Sequence, residues 1–245
     1  MTAAIELDAL TRTYGDLVAV DRLSFTVPEG QVFGFMGHNG AGKTTTIRML
    51  LGLTRPSHGH ARVLGRDVVT DSLAVRGLCG FLPASYGLPR DMTAIDFLAY
   101  VGAMFGLRRA EASARGRALL DLFELGPVAH KALGGFSTGM AQKVGLAQAL
   151  IGRPRVLFLD EPTSGLDPLG RHHFLTHIRD LARDQGVTVL FSTHILSDVE
   201  SICEQVAIMH HGRLIASGAL QALKAERRAA TMDDLYLDLV QEAAA

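Results

Sequence analysis

Apolar and polar residues alternate in some parts of the chain and are continuous in others. The segments AIELDAL and DRLSFTVPEG alternate, and a turn at Tyr14-Gly15-Asp16 separates them, so the first thirty residues predict strands at a β-rich edge. Residues 31–36 and the segments RVLFLDEP and VTVLFSTH are continuously apolar, which is typical of strands covered on both faces of a parallel sheet. The segment QVAIMHHGRLIASG predicts a hairpin centred on His211-Gly212.

Apolar residues at helical spacing predict helices between these strands. Ile47, Leu50 and Leu51 fall on one face of a helix at about 43–52. Residues 92–150 have a helical pattern throughout, and a further helix is expected at about 168–184. This order predicts an α/β fold with a mostly parallel sheet, an N-terminal antiparallel β subdomain and a helical subdomain inserted at about 85–150. We expect one domain over residues 1–230 and a C-terminal helical tail over 231–245.

Composition limits the classes of function. The chain has 245 residues and a formal net charge of −1, so no global field favours nucleic acid or an anionic membrane. Its two cysteines, Cys79 and Cys203, have no partner at metal-ligand spacing and are expected to be small core residues. No segment approaches the ~18 apolar residues of a membrane span, and IDFLAYVGAMFGL is interrupted by Asp96. Recognition of partners must therefore be local.

The stretch GHNGAGKTT, residues 37–45, lies between a predicted buried strand and a predicted helix. It matches the pattern G-x-x-x-x-G-K-[ST] at Gly37, Gly42, Lys43 and Thr44. Glycines allow successive backbone N–H groups to face one point, the lysine supplies a cation for the outer phosphates, and the threonine hydroxyl can bind Mg²⁺. The stretch therefore predicts a nucleotide phosphate site.

A second candidate site ends the strand in RVLFLDEPTSGLDP, where Asp160 and Glu161 are adjacent but face opposite sides of the chain. A carboxylate at such a position can hold Mg²⁺ through water, and its neighbour can orient and polarise an attacking water. An exposed acidic turn is the plainer reading. It fits poorly, because an apolar run seldom ends in two acids and a proline.

Taken together, the motifs resemble those of the ATP-binding subunit of ABC transporters over nearly the entire chain. The resemblance rests on the phosphate loop, on FSTGM at 136–140 as the signature, on VLFLDE as the second nucleotide motif, on SGLD at 164–167, and on STH ending at His194. It implies a P-loop NTPase with a RecA-like core. Tyr14 lies where this family stacks an aromatic ring on adenine, although on its own it is equally well a turn residue.

The family implies a role for each matching position. Glu161 polarises water, His194 contacts the γ-phosphate, and Lys43 holds phosphate, although a histidine at the end of a strand is by itself more often a core or capping residue. Thr44 and Asp160 serve Mg²⁺, and Asp167 helps to set the dimer geometry. The residues implied to bind ATP are Tyr14, Gly37, Asn39, Gly40, Ala41, Gly42, Lys43, Thr44, Thr45, Ser137, Gly139 and Asp167.

The family also implies partners. Ser137, read alone, is a helix N-cap; in the family it reaches the ATP of a second copy or of a homologous ATPase subunit. A separate multi-span permease is expected to dock near Phe97, Tyr100 and Phe105, which places the chain at the cytoplasmic face of the membrane. The segment TMDDLYLDLV and the signature region look most like exporters of the ABC-2 type. No nucleic acid partner is expected.

Two departures from the family pattern affect this interpretation. The signature has Phe136, Thr138 and Met140 in place of the usual Leu, Gly and Gln. Ala84 stands where the family has Gln or Glu, and a methyl group can neither bind Mg²⁺ nor transmit its presence to the insert. We therefore expect slow hydrolysis or altered coupling.

Other functions remain open from the sequence alone. A soluble ABC ATPase acting on protein or nucleic acid is the main alternative, and an inactive regulatory binder is a third, motivated by Ala84. His173 and His177 lie four residues apart on a predicted helix, a geometry that can hold zinc. Because no acidic third ligand is suitably spaced, we expect them to lie on a solvated helix surface.

Overall fold

The computed structural model describes residues 3–244 and divides the strands of this part of the chain between two sheets. The strands there are β1 (Ala3–Tyr14), β2 (Leu17–Pro28), β3 (Val32–Gly37), β4 (His58–Val63), β5 (Arg66–Asp67), β6 (Cys79–Leu82), β7 (Val156–Asp160), β8 (Thr188–Thr193), β9 (Gln205–His210) and β10 (Arg213–Ala219). One sheet has four strands in the order β2-β1-β4-β5, and its pairs are antiparallel. The predicted N-terminal antiparallel β region is therefore confirmed.

The helices cover the second sheet and form the insert. Between residues 3 and 244 the α-helices are α1 (Lys43–Leu50), α2 (Ser72–Leu78), α3 (Ala94–Met104), α4 (Arg109–Leu122), α5 (Thr138–Leu150), α6 (Pro168–Gln185), α7 (Leu196–Ile202), α8 (Leu220–Arg227) and α9 (Met232–Ala244). Short 3₁₀ turns lie at Gly126–Val128 and Leu133–Gly135. None of the helices described is both long enough and apolar enough to cross a bilayer.

The second sheet positions the site. Its order is β10-β9-β3-β8-β7-β6, and every neighbouring pair is parallel except β9 with β10, so the mostly parallel sheet is confirmed. Strands β3, β7 and β8 are buried along their whole length, which explains their unbroken apolar sequences. Parallel strands end at the same edge, so the segments after β3, β7, β8 and β6 meet there.

The helices of the insert share one hydrophobic core. Phe97, Leu98 and Val101 of α3 are buried in the same core cluster as residues of α4 and α5. Phe97 is not available to the expected permease, because its side chain lies in this cluster and is only 8% exposed. Tyr100 and Phe105 are exposed to 58% and 42%. Only these two of the three predicted aromatics can meet a partner.

The last helix also contributes to the core. Met232, Leu235 and Leu239 of α9 are buried, and α9 packs against α7, β9 and β10. Helix α9 thus shares the core of the six-stranded sheet. The division of the chain at residue 230 stays a prediction. Cys79 and Cys203 are buried free thiols, as predicted.

Candidate nucleotide site

The loop between β3 and α1 is shaped by glycines with backbone angles that other residues rarely adopt. Gly40 has φ of +85° and Gly42, directly before α1, has φ of +107°. A Cβ at Gly42 would lie 2.5 Å from the carbonyl oxygen of Ala19, so a side chain has no room there. The loop is therefore free to turn its backbone N–H groups toward the N-terminal end of α1, where the helix dipole favours an anion.

Lys43 is almost completely buried, with 5% of its side chain exposed. Its Nζ donates to the carbonyl oxygen of Gly37 at 2.6 Å and to that of His38 at 3.3 Å. It also lies 3.0 Å from Oε1 of Glu161, an ionic contact whose angles do not make a hydrogen bond, so Oε1 has no hydrogen-bond partner among the described residues. A phosphate oxygen is the type of ligand that would draw Nζ away from this contact.

Thr44 and Asp160 meet across the edge of the sheet. The Thr44 hydroxyl donates to Oδ2 of Asp160 at 2.7 Å, and the Ser192 hydroxyl donates to Oδ1 at 2.8 Å. Asp160 is 1% exposed and is held in place by the ends of β7 and β8. A hydroxyl and a carboxylate at this separation form the all-oxygen donor set that Mg²⁺ prefers. The predicted pair of metal-binding residues is therefore brought together.

Glu161 lies just beyond β7 with φ of +50°, an uncommon value for a residue with a side chain. Its backbone N–H donates to the carbonyl oxygen of Ser192 at 2.9 Å, and its Oε2 lies 2.7 Å from Nδ1 of His194. The carboxylate is thus held between Lys43 and His194. Strain of this kind persists at sites where the surrounding structure fixes a side chain in a working position.

Lys43, Thr44 and Glu161 border a cavity of about 560 Å³, the size of a small-molecule site. Tyr14 lies at its edge with the guanidinium of Arg12 4.5 Å from the ring centroid, so one face of the ring is covered by a cation. The sequence reasoning missed Leu17, Val18 and Gly212 as lining residues; they come from β2 and from the β9–β10 turn. The lining residues are Tyr14, Leu17, Val18, Ala19, Asn39, Gly40, Gly42, Lys43, Thr44, Thr45, Ala84, Glu161, His211 and Gly212.

Other predicted site residues lie elsewhere. Gly37 and Ala41 belong to the phosphate-loop stretch but are buried and do not line the cavity. A Cβ at Gly37 would lie 2.6 Å from the carbonyl oxygen of Met209, so this glycine permits close packing. Ser137 caps α5 by accepting from the N–H of Met140 at 3.3 Å, and Ser137 and Gly139 line a separate depression. Asp167 caps α6.

The predicted solvated surface for His173 and His177 is only partly correct. His173 is exposed, but His177 is partly buried and its ring packs edge-on against Phe123 with centroids 5.2 Å apart. Burial lowers the pKa of His177 below its ordinary value, so at neutral pH its ring is an uncharged packing partner. In residues 3–244 these two histidines are not part of any group that could hold a metal ion.

A phosphate loop with a buried lysine, a buried aspartate and an adjacent glutamate at one edge of a parallel sheet are typical of a P-loop nucleoside triphosphatase. Residues 20–164 match the family model described as "ABC transporter". The chain belongs to this family, as one of its ATP-binding ATPase subunits.

Relatives support the assignment. The chain is 40% identical over 224 residues to "Uncharacterized ABC transporter ATP-binding protein YxlF" of Bacillus subtilis, covering 91% of this chain and 74% of that protein. It is 36% identical over 243 residues to "Probable multidrug ABC transporter ATP-binding protein YbhF" of Escherichia coli, covering 97% of this chain but 42% of that one. A solved "Structure of ATP binding subunit of ABC transporter" superposes with a TM-score of 0.87 at 31% identity, covering 98% of this chain and all of that chain.

Proposed function

We propose that this chain is the ATP-hydrolysing motor of an ABC-2 type exporter. The single observation that carries the proposal is one cavity lined by Lys43, Thr44 and Glu161, with the buried Asp160 hydrogen-bonded to Thr44 at its edge. The exporter assignment is supported by relatives whose names specify export or resistance. One is "Daunorubicin/doxorubicin resistance ATP-binding protein DrrA" of Streptomyces peucetius, 39% identical over 223 residues, which cover 91% of this chain and 67% of that protein.

Phosphate binding in this proposal uses the loop and its lysine. Backbone N–H groups between Asn39 and Thr45 and the N-terminus of α1 hold the phosphate oxygens, and Lys43 leaves Glu161 to pair with them. Tyr14 presents its remaining ring face to adenine, because Arg12 covers the other. The cavity, of about 560 Å³, is lined by Tyr14 as well as by Lys43, so both the adenine and the phosphates can lie in it.

Mg²⁺ is the expected cofactor, held by Thr44 and Asp160 through water or directly. When bound, it neutralises charge on the phosphates. The protein's own contribution to hydrolysis is Glu161, which accepts a proton from or orients the attacking water, while His194 holds the carboxylate through its 2.7 Å contact. Ala84 lines the same cavity and contributes only a methyl group.

A second copy of the chain, or a homologous subunit, completes the site. Ser137 and Gly139 line a depression with Leu166 and Gly170 and do not reach the cavity that contains Lys43. The N-terminus of α5 with its Ser137 cap is suited to an anion. We therefore propose that it meets the nucleotide of the other copy, with Asp167 fixing the turn at the interface.

The permease surface is proposed at the exposed residues of α3 and the residue that follows it, and it does not include the buried Phe97. Tyr100, Met104 and Phe105 are exposed there, and one edge of the Phe105 ring packs against Gly152. Exposed aromatic and Met side chains at helical spacing suit a short helix of a membrane partner. This contact would place the chain peripherally at the cytoplasmic face of the membrane.

Two experiments test the proposal. Glu161→Gln removes the carboxylate but keeps the shape of the side chain, so ATP turnover should fall at least ~100-fold while MgATP binding remains and a closed dimer accumulates on size exclusion. Glu29→Gln is the control, because Glu29 makes a surface pair with Arg155. Hydrolysis at the parental rate in Glu161→Gln would show that the base is misassigned.

The transport role is tested separately by purification in mild detergent. A multi-span membrane protein should accompany the parental chain, and Tyr100→Glu should release it, whereas Leu73→Glu on the exposed face of α2 should not. Purification without any membrane partner would favour the soluble ABC ATPase. Unchanged retention of the partner by Tyr100→Glu would show that it docks elsewhere.

A further inference from the structure

Three histidines lie together beside the phosphate loop. His38 belongs to that loop, and His210 and His211 lie at the end of β9 and in the turn that follows. One ring nitrogen from each lies within 4.8 Å of those of the other two. The ring centroids are 4.1 Å apart for His210 and His211, 4.8 Å for His38 and His211, and 5.1 Å for His38 and His210.

Hydrogen bonding leaves His38 with a nitrogen lone pair directed at this cluster. Its Nδ1 lies 2.8 Å from the carbonyl oxygen of Asn39, and a carbonyl can only accept, so Nδ1 carries the proton. Its Nε2 then has the lone pair, and its one hydrogen bond within residues 3–244 is a long 3.4 Å contact from the backbone N–H of His211. A metal-binding histidine usually donates from one ring nitrogen to a carbonyl and binds the metal through the other, and His38 would lose only this long contact in doing so.

His210 provides an independent observation. Its Nδ1 is buried and has no hydrogen-bond partner among the described residues. Leaving such an atom unpaired costs free energy, which a ligand would recover.

We propose that His38, His210 and His211 form a site for a divalent transition metal of the zinc class, with water as the fourth ligand. Imidazole nitrogens suit Zn²⁺, Ni²⁺ and Cu²⁺ rather than Mg²⁺, which prefers oxygen. Three histidines and an open position match the ligand count of known zinc sites. The nitrogens must approach one another slightly, because Zn–N bonds are about 2.0–2.1 Å long.

A metal at this site would join two parts of the nucleotide cavity. His38 contributes its carbonyl oxygen to Lys43 and Ala41, and His211 lines the cavity itself. The same turn is already hydrogen-bonded to the phosphate loop, since the N–H of Gly212 donates to the carbonyl oxygen of Ala41 at 3.1 Å. The site is distinct from the Mg²⁺ pair, which uses Thr44 and Asp160.

The test is metal titration of untagged, chelator-stripped protein without nucleotide, because a histidine tag or ATP would itself bind the metal. Calorimetry with Zn²⁺ should give one equivalent per chain, and Co²⁺ should give the visible absorption of a tetrahedral nitrogen site. His38→Gln and His211→Gln should each weaken binding at least ~10-fold, since even outer partners of metal sites have effects of that size.

The matched control is the double variant His172→Gln/His173→Gln, which removes two exposed histidines from α6 and should leave binding unchanged. Thermal unfolding confirms that each variant is folded. His211 is exposed, so His211→Gln gives a folded variant even if substitutions at His210 do not. Absence of a one-equivalent site in the parent, unchanged affinity in both cluster variants, or equal loss in the control would overturn the proposal.

Discussion

Nζ of Lys43 lies 3.0 Å from Oε1 of Glu161, so the cation proposed to bind phosphate and the carboxylate proposed to act on water neutralise each other. Both groups are largely buried, with 5% and 13% of their side chains exposed. An isolated buried charge is costly, so pairing stabilises each of them until a ligand arrives. A phosphate entering between them would take over the lysine and leave the carboxylate free to accept a proton.

Lys43→Ala should therefore weaken MgATP binding by about 10-fold to 100-fold, the range for removing a charge-assisted hydrogen bond. Calorimetry with MgATP measures the change. Lys131→Ala, at an exposed position, should bind as the parent does. Equal affinity of the parent and Lys43→Ala would show that the loop does not hold the phosphates.

Ala84→Gln should raise the ATPase rate, because Ala84 lines the cavity and an amide there can reach the metal and its water. Steady-state phosphate release measures the rate. Ala84→Leu is the matched control, since it adds similar bulk without a polar group and should not accelerate hydrolysis. If both variants behave alike, the effect is steric and the missing amide does not limit turnover.

Gly80→Ala should lower the free energy of unfolding by about 1–3 kcal/mol, the range for overpacking a core. A Cβ at Gly80 in β6 would lie 2.2 Å from the carbonyl oxygen of Ala149 in α5, so the helix must move. Gly77→Ala lies in α2 with open space around the new methyl group, and helix propensity favours it. Urea unfolding of both variants provides the comparison, and an unaltered midpoint for Gly80→Ala would contradict the close approach.

The two thiols should resist alkylation in the folded protein. Burial raises the pKa of Cys79 to about 12, and burial with the nearby Asp198 raises that of Cys203. At pH 8 the thiolate fraction of Cys79 is then about 10⁻⁴. Both should react rapidly in urea. Stoichiometric labelling of native protein by iodoacetamide within minutes would show that the thiols are accessible.

The parts of the fold with strong periodicity could be predicted from the sequence. Strands β3, β7 and β8 and helices α1 and α6 follow their apolar patterns closely. Residues 54–78 received no prediction, because β4 and β5 are short and α2 buries only Val75. The sequence could not show that Phe97 is unavailable to a partner, because only packing of α3 against α4 and α5 decides which of the neighbouring aromatics faces the core.

The sequence could predict which site residues lie together where a motif fixes the local backbone. The contact between Thr44 and Asp160 spans 116 residues and follows from strands that end at one edge. The histidine cluster was missed because His38 is 172 residues from His210, and only the pairing of β3 with β9 brings the two together. A hairpin turn containing two histidines was a signal in the sequence, but it had no visible partner.

The cavity is lined from both sheets, by Leu17 and Val18 of β2 and by residues after β3, β6, β7 and β9. A nucleotide bound there would contact residues of both sheets. Unfolding that separates the two sheets would therefore require release of the nucleotide. The free energy of unfolding should therefore rise with ATP concentration, by about 2.7 kcal/mol when ATP is at a hundred times its dissociation constant. In cells depleted of ATP, the same chain would then have a lower free energy of unfolding.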